Sequence, residues 1–322
     1  MITLADYADD RGMIRVATLN DAAIRARAAA GARRGELIRL ARGCYLPTPI
    51  WNTLDQDARY RARIRAAVAG RLAPDELLCG MSAAALWRLS LPGEWPADVH
   101  TVRPRNGGGR RSGIVTRHST SVADAGAWVE GLPVTTVERT VADLAGAHSR
   151  YVGVAVADAA LAGLDADDEH PFSRDPVSRD ALRAEAERLP RSAGRTRALA
   201  AVAFADARAA NAGESGLRVT LDRLGVPAPE LQASFVSASG RQYFVDFWWP
   251  EQRFILEFDG KRKYFDARYR GGRTAAQVVY DEKEREDELR AEVNGFARAD
   301  WDVAGSPERL AARLRRAGFV FP

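Results

Sequence analysis

The stretch from Phe244 to Tyr264, FVDFWWPEQRFILEFDGKRKY, constrains the fold of this chain more than any other part of it. It contains two apolar segments, Phe244 to Trp249 and Arg253 to Phe258, rich in the aromatic and β-branched residues that favour strands. A Pro-Glu-Gln segment separates them, as the turn of a hairpin would. The sequence therefore predicts two paired strands that bury aromatic side chains.

Three acidic residues interrupt this apolar pattern: Asp246, Glu257 and Asp259. A buried carboxylate is costly unless something compensates its charge. A divalent metal held by oxygen ligands is the simplest compensation. The pattern therefore favours a metal-dependent site on the predicted hairpin.

Lysines are concentrated in the same region. Of 47 basic residues only Lys261, Lys263 and Lys283 are lysines, and all three lie within 23 positions. Arginine cannot replace lysine where a compact ammonium group must sit beside a reacting oxygen. The alternative is that the three lysines are solvated charges on a loop and a helix. Their proximity to the three carboxylates favours a catalytic role instead.

Length and composition place the chain among ordinary globular proteins. Its 322 residues suggest two or three domains, and no apolar run approaches the length of a membrane span. Two cysteines, Cys44 and Cys79, are too few for a disulfide framework or a zinc site, so a cytoplasmic location is expected. The four histidines show no metal-ligand spacing.

Positive charge is concentrated at the N-terminus, where residues 1–72 contain 13 arginines and 7 acidic residues. This excess indicates a polyanionic partner. Residues 2–10 predict a short helix, and an Ala/Arg-rich helix follows it. Together with the segment ELIRLARGCYLP, which alternates around a turn, they have the outline of a winged helix-turn-helix over residues 1–50. The candidate nucleic-acid-binding residues here are Arg25, Arg27, Arg33, Arg34 and Arg42; a solvated face of an Arg-rich protein is the alternative.

The rest of the sequence predicts two further domains. Residues 51–205 form a helical and α/β middle domain with an acidic loop near 165–180, and Arg139 and Asp143 lie one turn apart as a structural pair. Residues 206–322 form an α/β sandwich that begins with a helix at Glu214. A basic loop in this domain contributes three more candidate nucleic-acid contacts, namely Arg268, Arg270 and Arg273.

Several segments resemble the AbiEi-type antitoxins of type IV toxin–antitoxin systems. GELIRLARGCYLP resembles the wing of their N-terminal domain, and LLCGMSAAALWRL, VHTVRP, GLPVTTVERTVADLA and ESGLRVTLDRLGVPAPELQ look like the segments that follow it. The resemblance covers nearly the whole chain. It implies a DNA-binding antitoxin, often a transcriptional autorepressor, with DNA and a cognate toxin as partners and no membrane association.

The C-terminal segment resembles the restriction-endonuclease-like PD-(D/E)XK fold, in its branch related to very-short-patch-repair endonucleases. The resemblance implies that Asp246 and Glu257 bind Mg²⁺, for which Mn²⁺ can substitute, and that Glu214 is an acid supplied by the preceding helix. A metal so held can activate water. The position two after Glu257 is Asp259 instead of the usual lysine, and Lys263 stands where relatives often have histidine.

The sequence thus leaves three functions open. The first is a DNA-binding regulator of the AbiEi type with a nuclease-fold C-terminal domain. The second is a Mg²⁺-dependent endonuclease that its winged helix directs to DNA. The third is a non-catalytic scaffold that binds a partner protein. The candidate catalytic residues are Asp246, Glu257, Asp259, Lys261 and Lys263, with Lys283 as a further member of the cluster.

Overall fold

The computed structural model describes residues 4–17, 19–104, 109–120, 126–166, 172–237, 240–260 and 275–322. The chain divides into two compact units. The N-terminal unit comprises Met1–Leu89, Gly93–Leu144 and Ala184–Arg195, and the C-terminal unit comprises Ser90–Pro92, Ala145–Arg183 and Thr196–Pro322. The predicted middle segment 51–205 is divided between the two units. The coarse prediction of a multi-domain α/β protein is confirmed, and the winged-helix and endonuclease-like assignments remain predictions.

A small antiparallel sheet and one helix open the N-terminal unit. Helix α1 (Ala22–Arg33) begins after Asp21, whose carboxylate accepts hydrogen bonds from the backbone N–H groups of Ala23 and Ile24. Strands β2 (Leu37–Ala41) and β3 (Cys44–Pro47) form the predicted hairpin, which is confirmed. A short strand, β1 (Ile14–Arg15), pairs with β3 and gives the sheet order β1-β3-β2.

A six-stranded sheet forms the rest of this unit, with strand order β6-β7-β5-β4-β9-β8. Its strands are β4 (Leu77–Leu78), β5 (Val99–Pro104), β6 (Arg110–Ser112), β7 (Val115–Thr120), β8 (Ala127–Val129) and β9 (Leu132–Val134). The helices in this part of the sequence are α2 (Thr48–Thr53), α3 (Gln56–Val68), α4 (Gly80–Leu86) and α5 (Val137–Ala147). The predicted pair on α5 is confirmed, since the Arg139 guanidinium donates to both oxygens of Asp143 at 2.9 Å.

Helices precede and flank a four-stranded sheet in the C-terminal part of the chain. They are α6 (Arg150–Ala162), α7 (Arg179–Arg188), α8 (Ala193–Phe204), α9 (Ala212–Arg223), α10 (Ala275–Ala291), α11 (Trp301–Ala304) and α12 (Pro307–Arg316). The strands are β10 (Glu230–Val236), β11 (Gln242–Trp249), β12 (Phe254–Phe258) and β13 (Gly295–Ala299), in that spatial order. The predicted pairing of β11 with β12 is confirmed as antiparallel, whereas β12 and β13 are parallel.

Both faces of this sheet are covered, which explains why every residue of β12 is buried. On one face Phe247, Trp249 and Leu256 belong to a core that includes Leu217 of α9 and Leu314 of α12. The opposite core joins Val245, Ile255 and Phe296 to Leu289 of α10. Because side chains alternate along a strand, Glu257 lies on the same face of β12 as Ile255 and is directed toward α10.

Two simpler expectations concern cysteines and membranes. Cys44 and Cys79 are both free and buried, in agreement with the absence of a disulfide framework. Of the helices in the described ranges, none has both the length and the apolar character that crossing a bilayer requires.

Candidate functional site

A pocket of about 1060 Å³ in the C-terminal unit brings four predicted acids together. Glu214 comes from the first turn of α9, Asp246 from β11, Glu257 from β12 and Asp259 from the segment directly after β12. Glu214 and Glu257 are 5% and 7% exposed, so their charges are largely removed from water. These carboxylates therefore need partners inside the protein.

Asp246 lies where strands β11 and β12 separate. The pairing of β11 with β12 ends at Phe247 opposite Leu256. Beyond that point the Asp246 carboxylate takes the place of a strand partner, because its Oδ2 accepts a hydrogen bond of 2.8 Å from the backbone N–H of Phe258. The carboxylate thus satisfies a donor that the separated strand would leave unpaired.

Glu214 is held at the start of α9. Its Oε2 accepts from the backbone N–H of Ala210 at 2.8 Å, and its Oε1 accepts from the Asn211 side-chain amide at 2.7 Å. Asn211 is also the N-cap of α9. The amide nitrogen of Gln232 on β10 lies 3.2 Å from both Glu214 Oε2 and Asp246 Oδ1, so these two carboxylates converge on one donor.

Glu257 is neutralised by arginine. Arg285 of α10 donates from Nη2 to Oε1 at 2.5 Å and from Nη1 to Oε2 at 3.1 Å. Arg298 of β13 lies farther away, with Nη2 3.7 Å from Oε2. Burial raises the pKa of the Glu257 carboxyl, and the hydrogen bonds and charge of Arg285 oppose that shift. Arg285 and Glu257 therefore form a bidentate, charge-assisted salt bridge.

The carboxylates supply the oxygen donors that Mg²⁺ prefers, but their arrangement does not fit the ion as it stands. Within the described residues, no three His, Cys, Asp or Glu side chains are grouped so that they could hold a metal ion. Arg285 donates to both oxygens of Glu257, and the amide of Gln232 lies between the carboxylates of Glu214 and Asp246. The charge of Glu257 is therefore compensated by arginine, whereas Glu214 and Asp246 are stabilised by neutral hydrogen-bond donors.

Of the three lysines that the sequence singled out, Lys283 alone belongs to the described residues. Lys261 and Lys263 lie outside the described residues, as do Arg268, Arg270 and Arg273. Lys283 is exposed on α10 and is not among the residues that line the pocket. Sequence reasoning missed Gln232, Arg285 and Arg298. The available signal for Arg285 was an arginine in a segment rich in helix-forming residues, YDEKEREDELRAEV, which follows the acidic hairpin in the sequence.

An open groove of about 1200 Å³ in the N-terminal unit has the opposite charge. Four arginines line it: Arg25 from α1, Arg39 from β2, Arg42 from the β2–β3 turn, and Arg71 from the segment after α3. All four are exposed, and within the described residues no acidic side chain lines the groove. We call this feature the arginine groove. It can attract and bind anions.

Backbone contacts fix two of these arginines. Arg71 donates to the backbone carbonyl of Arg42 at 3.1 Å, and Arg25 donates to that of Leu19. Gly43 has a φ of 69°, and an added Cβ would come within 2.6 Å of the Cβ of Ala17. Glycine is therefore required at this turn, where the backbone passes close to Ala17.

The predicted DNA-contacting arginines divide into two groups. Arg25 and Arg42 line the arginine groove, whereas Arg27, Arg33 and Arg34 are not among its lining residues. Arg34 instead forms two hydrogen bonds, of 2.7 and 2.8 Å, with the Glu36 carboxylate. Arg39 and Arg71 were missed because the local sequence gives no sign that they reach the same groove as Arg25 and Arg42, and only the fold brings them there.

Comparisons with known proteins give short or distant similarities. No family model matches the chain. Uncharacterized protein MT2308 and Uncharacterized protein Rv2248, from Mycobacterium tuberculosis strains CDC 1551 / Oshkosh and ATCC 25618 / H37Rv, are each 41% identical to it over 56 residues. That match spans 17% of this chain and 21% of each relative's length. The crystal structure of the RV2827C protein from Mycobacterium tuberculosis covers 60% of this chain and 68% of its own, at 15% identity and a TM-score of 0.33.

Proposed function

We propose that this protein is a DNA-binding transcriptional regulator of the AbiEi antitoxin type, which contacts DNA through the arginine groove of its N-terminal unit. The single observation that carries DNA binding is the convergence of four arginines on an open groove without acidic lining residues in the described structure. The regulator and antitoxin parts rest on the resemblance of the segments, and they add a toxin protein as a second partner.

The chemistry of the groove supports a phosphate-rich ligand. A guanidinium group matches the geometry of a phosphate with two parallel hydrogen bonds. Arginines from four separate segments can contact several phosphates at once, and each contact releases counterions from the DNA. Such contacts fix the position of the protein on DNA, while base contacts would supply sequence preference.

A matched pair of triple variants tests the role of the groove. Arg25→Gln/Arg39→Gln/Arg42→Gln removes three groove charges, and Arg27→Gln/Arg33→Gln/Arg34→Gln removes three charges outside it. By fluorescence anisotropy with duplex DNA, we expect the first variant to lose affinity roughly a hundredfold and the second much less, because direct phosphate contacts dominate affinity. Equal losses would show that only net charge matters.

The regulator part has its own test. Binding to the DNA upstream of the protein's own gene is compared with binding to an unrelated duplex of equal length in a mobility-shift assay. A regulator binds its upstream region more tightly. Equal affinity for both duplexes would remove the regulator and leave sequence-independent DNA binding.

A second candidate function is a Mg²⁺-dependent endodeoxyribonuclease, and the gathering of four acids in one pocket favours it. Glu214, Asp246 and Glu257 are the residues that would hold the ion. The test compares nicking of supercoiled plasmid, in Mg²⁺ or Mn²⁺, by the wild type, Asp246→Ala and Glu257→Ala. Glu251→Ala, an exposed residue of the β11–β12 turn, is the control.

Nicking by the wild type and the control but not by the two pocket variants would support the nuclease. Equal nicking by all four proteins, or none by any, would remove it. The third alternative, a non-catalytic protein-binding scaffold, is expected to show neither DNA binding nor nicking.

A further inference from the structure

Arg285 makes three hydrogen bonds within the pocket that Glu214, Asp246, Glu257 and Asp259 line, which we call the carboxylate pocket. Two go to the oxygens of Glu257, and a third, of 2.8 Å, goes from Nη2 to the backbone carbonyl of Phe244. The Arg285 side chain is only 26% exposed and that of Glu257 is 9% exposed. The contact is thus partly desolvated and geometrically fixed, unlike an exposed ion pair.

This arrangement places a guanidinium beside a carboxylate that a divalent cation in the pocket would need as a ligand. Each oxygen of Glu257 already accepts a hydrogen bond from Arg285, so a cation bound to this carboxylate would lie close to the guanidinium. A divalent cation at Glu257 would be repelled by the guanidinium of Arg285, and in a partly buried site this repulsion is only weakly screened. The positive charge of Arg285 therefore opposes the binding of a cation to Glu257.

We propose that Arg285 is a built-in counter-ion that competes with divalent cations for Glu257, so that its positive charge weakens the binding of a cation in the carboxylate pocket. This inference rests on the second candidate function, since it concerns the carboxylates that would hold its metal. It also accounts for the poor fit of the pocket to Mg²⁺ while Arg285 is in place.

The experiment is a titration of the full-length protein with Mn²⁺, without DNA, by isothermal calorimetry at neutral pH. Arg285→Gln removes the competing charge, and we expect it to bind Mn²⁺ about tenfold more tightly than the wild type or better. Arg290→Gln is the matched control. It removes another arginine from α10 that pairs with a glutamate, Glu286 at 2.7 Å, and does not line the pocket. Its affinity is expected to equal that of the wild type.

Two further variants keep the test decisive. Arg285→Lys retains the charge but loses the two-pronged geometry, so it should bind Mn²⁺ more tightly than the wild type and less tightly than Arg285→Gln. It carries the test if Arg285→Gln does not fold, which thermal unfolding would reveal. In Arg285→Gln/Glu257→Gln the gain in affinity should disappear. Unchanged or weaker Mn²⁺ binding by Arg285→Gln, or by Arg285→Lys where it alone folds, would overturn the proposal.

The Mn²⁺ titration and the nicking assay distinguish a failure of the Arg285 proposal from a failure of the endonuclease proposal. Tighter Mn²⁺ binding by Arg285→Gln without nicking would remove the endonuclease and leave the competition intact. If the wild type nicks DNA but the Arg285 variants bind Mn²⁺ with unchanged affinity, the endonuclease proposal would stand and the Arg285 proposal would be overturned.

Discussion

At the scale of single residues, three carboxylates of the pocket accept hydrogen bonds on both of their oxygens: Glu214, Asp246 and Glu257. Asp246 is the clearest example, because its two oxygens accept from different donors, the Phe258 N–H at 2.8 Å and the Gln232 amide at 3.2 Å. A group that accepts on both sides cannot be replaced without loss by one that must also donate.

Asp246→Asn is therefore expected to destabilise the protein by about 1–3 kcal/mol, since the new NH₂ group would face a donor and leave a buried polar group unsatisfied. Urea unfolding measures the change in the free energy of unfolding, and the exposed Glu251→Gln serves as the control. An Asp246→Asn protein as stable as the wild type would show that these two hydrogen bonds do not hold the strands in place.

Glu130 is a comparable residue in the N-terminal unit, where three arginines surround it. Arg11 lies 3.1 Å and Arg88 3.8 Å from its carboxylate, and Arg65 donates a hydrogen bond to it. Burial alone would raise the pKa of Glu130, but the attraction of Arg65, Arg11 and Arg88 outweighs burial and lowers the pKa from its ordinary value of 4.5. The ionised form is thus favoured in the folded state.

A carboxyl with a lowered folded-state pKa contributes stability that is complete above its unfolded pKa and is lost as the pH falls through the folded pKa. The wild type should therefore lose stability as the pH drops below about 4.5, and Glu130→Gln should be less stable at pH 7 by about 2 kcal/mol and lose less on acidification. The check is denaturant unfolding at pH 7 and at several values below 4.5. Parallel pH profiles for the two proteins would contradict the account.

At the scale of elements, the close approach of α9 to β12 brings Glu214 to the pocket. A Cβ added at Gly213 would lie 2.1 Å from the ring of Phe258, so only glycine allows this spacing. Gly216, one turn later on α9, has room, because its added Cβ would be 3.6 Å from the Tyr151 ring. The two glycines therefore form a matched pair.

Gly213→Ala should destabilise the protein by about 1–3 kcal/mol through overpacking, and Gly216→Ala should be neutral or stabilising by up to about 1 kcal/mol, since alanine favours helix. Thermal unfolding of both variants measures the difference. A Gly213→Ala protein that is as stable as Gly216→Ala would show that α9 and β12 are not packed this closely.

The elements also show how much of the fold the sequence contains. Alternating apolar residues predicted β11 and β12, and turn residues predicted the β2–β3 hairpin, because these patterns are local. Pairings between distant strands were not predictable. The parallel pairing of β5 with β7 places His100 Nδ1 2.9 Å from His118 Nε2, although sequence spacing gave no reason to associate these histidines.

The candidate site was likewise predictable only in part. The gathering of Asp246, Glu257 and Glu214 in one pocket was anticipated from the hairpin and a resemblance. The compensating charge was expected from a metal and nearby lysines, yet Glu257 is paired with Arg285, which lies 28 residues away on another element. Which cation reaches a carboxylate depends on packing between elements, and sequence spacing does not record that packing.

At the scale of the whole molecule, the two units offer sites of opposite charge. The arginine groove is lined by four arginines, whereas the carboxylate pocket is lined by seven acidic residues and three arginines among the described residues. The chain's net charge of +4 conceals this contrast. A polyanion is attracted to the groove and repelled by the acidic residues of the pocket, so DNA affinity should depend on the N-terminal unit.

Asp246→Ala/Glu257→Ala is accordingly expected to bind duplex DNA as tightly as the wild type, or slightly more tightly, in the absence of divalent cations. Anisotropy measured in EDTA checks this, with a circular dichroism spectrum to confirm folding. A large loss of affinity in a folded double variant would place the main DNA contact in the C-terminal unit.

The salt dependence of DNA binding tests the central claim most directly. For the wild type and for Arg25→Gln/Arg39→Gln/Arg42→Gln, the logarithm of the association constant is plotted against the logarithm of the salt concentration. Each phosphate contact contributes about 0.9 to the slope, so losing three should reduce its magnitude by roughly 3. Slopes that are the same for both proteins would contradict the claim that the arginine groove holds the phosphate backbone.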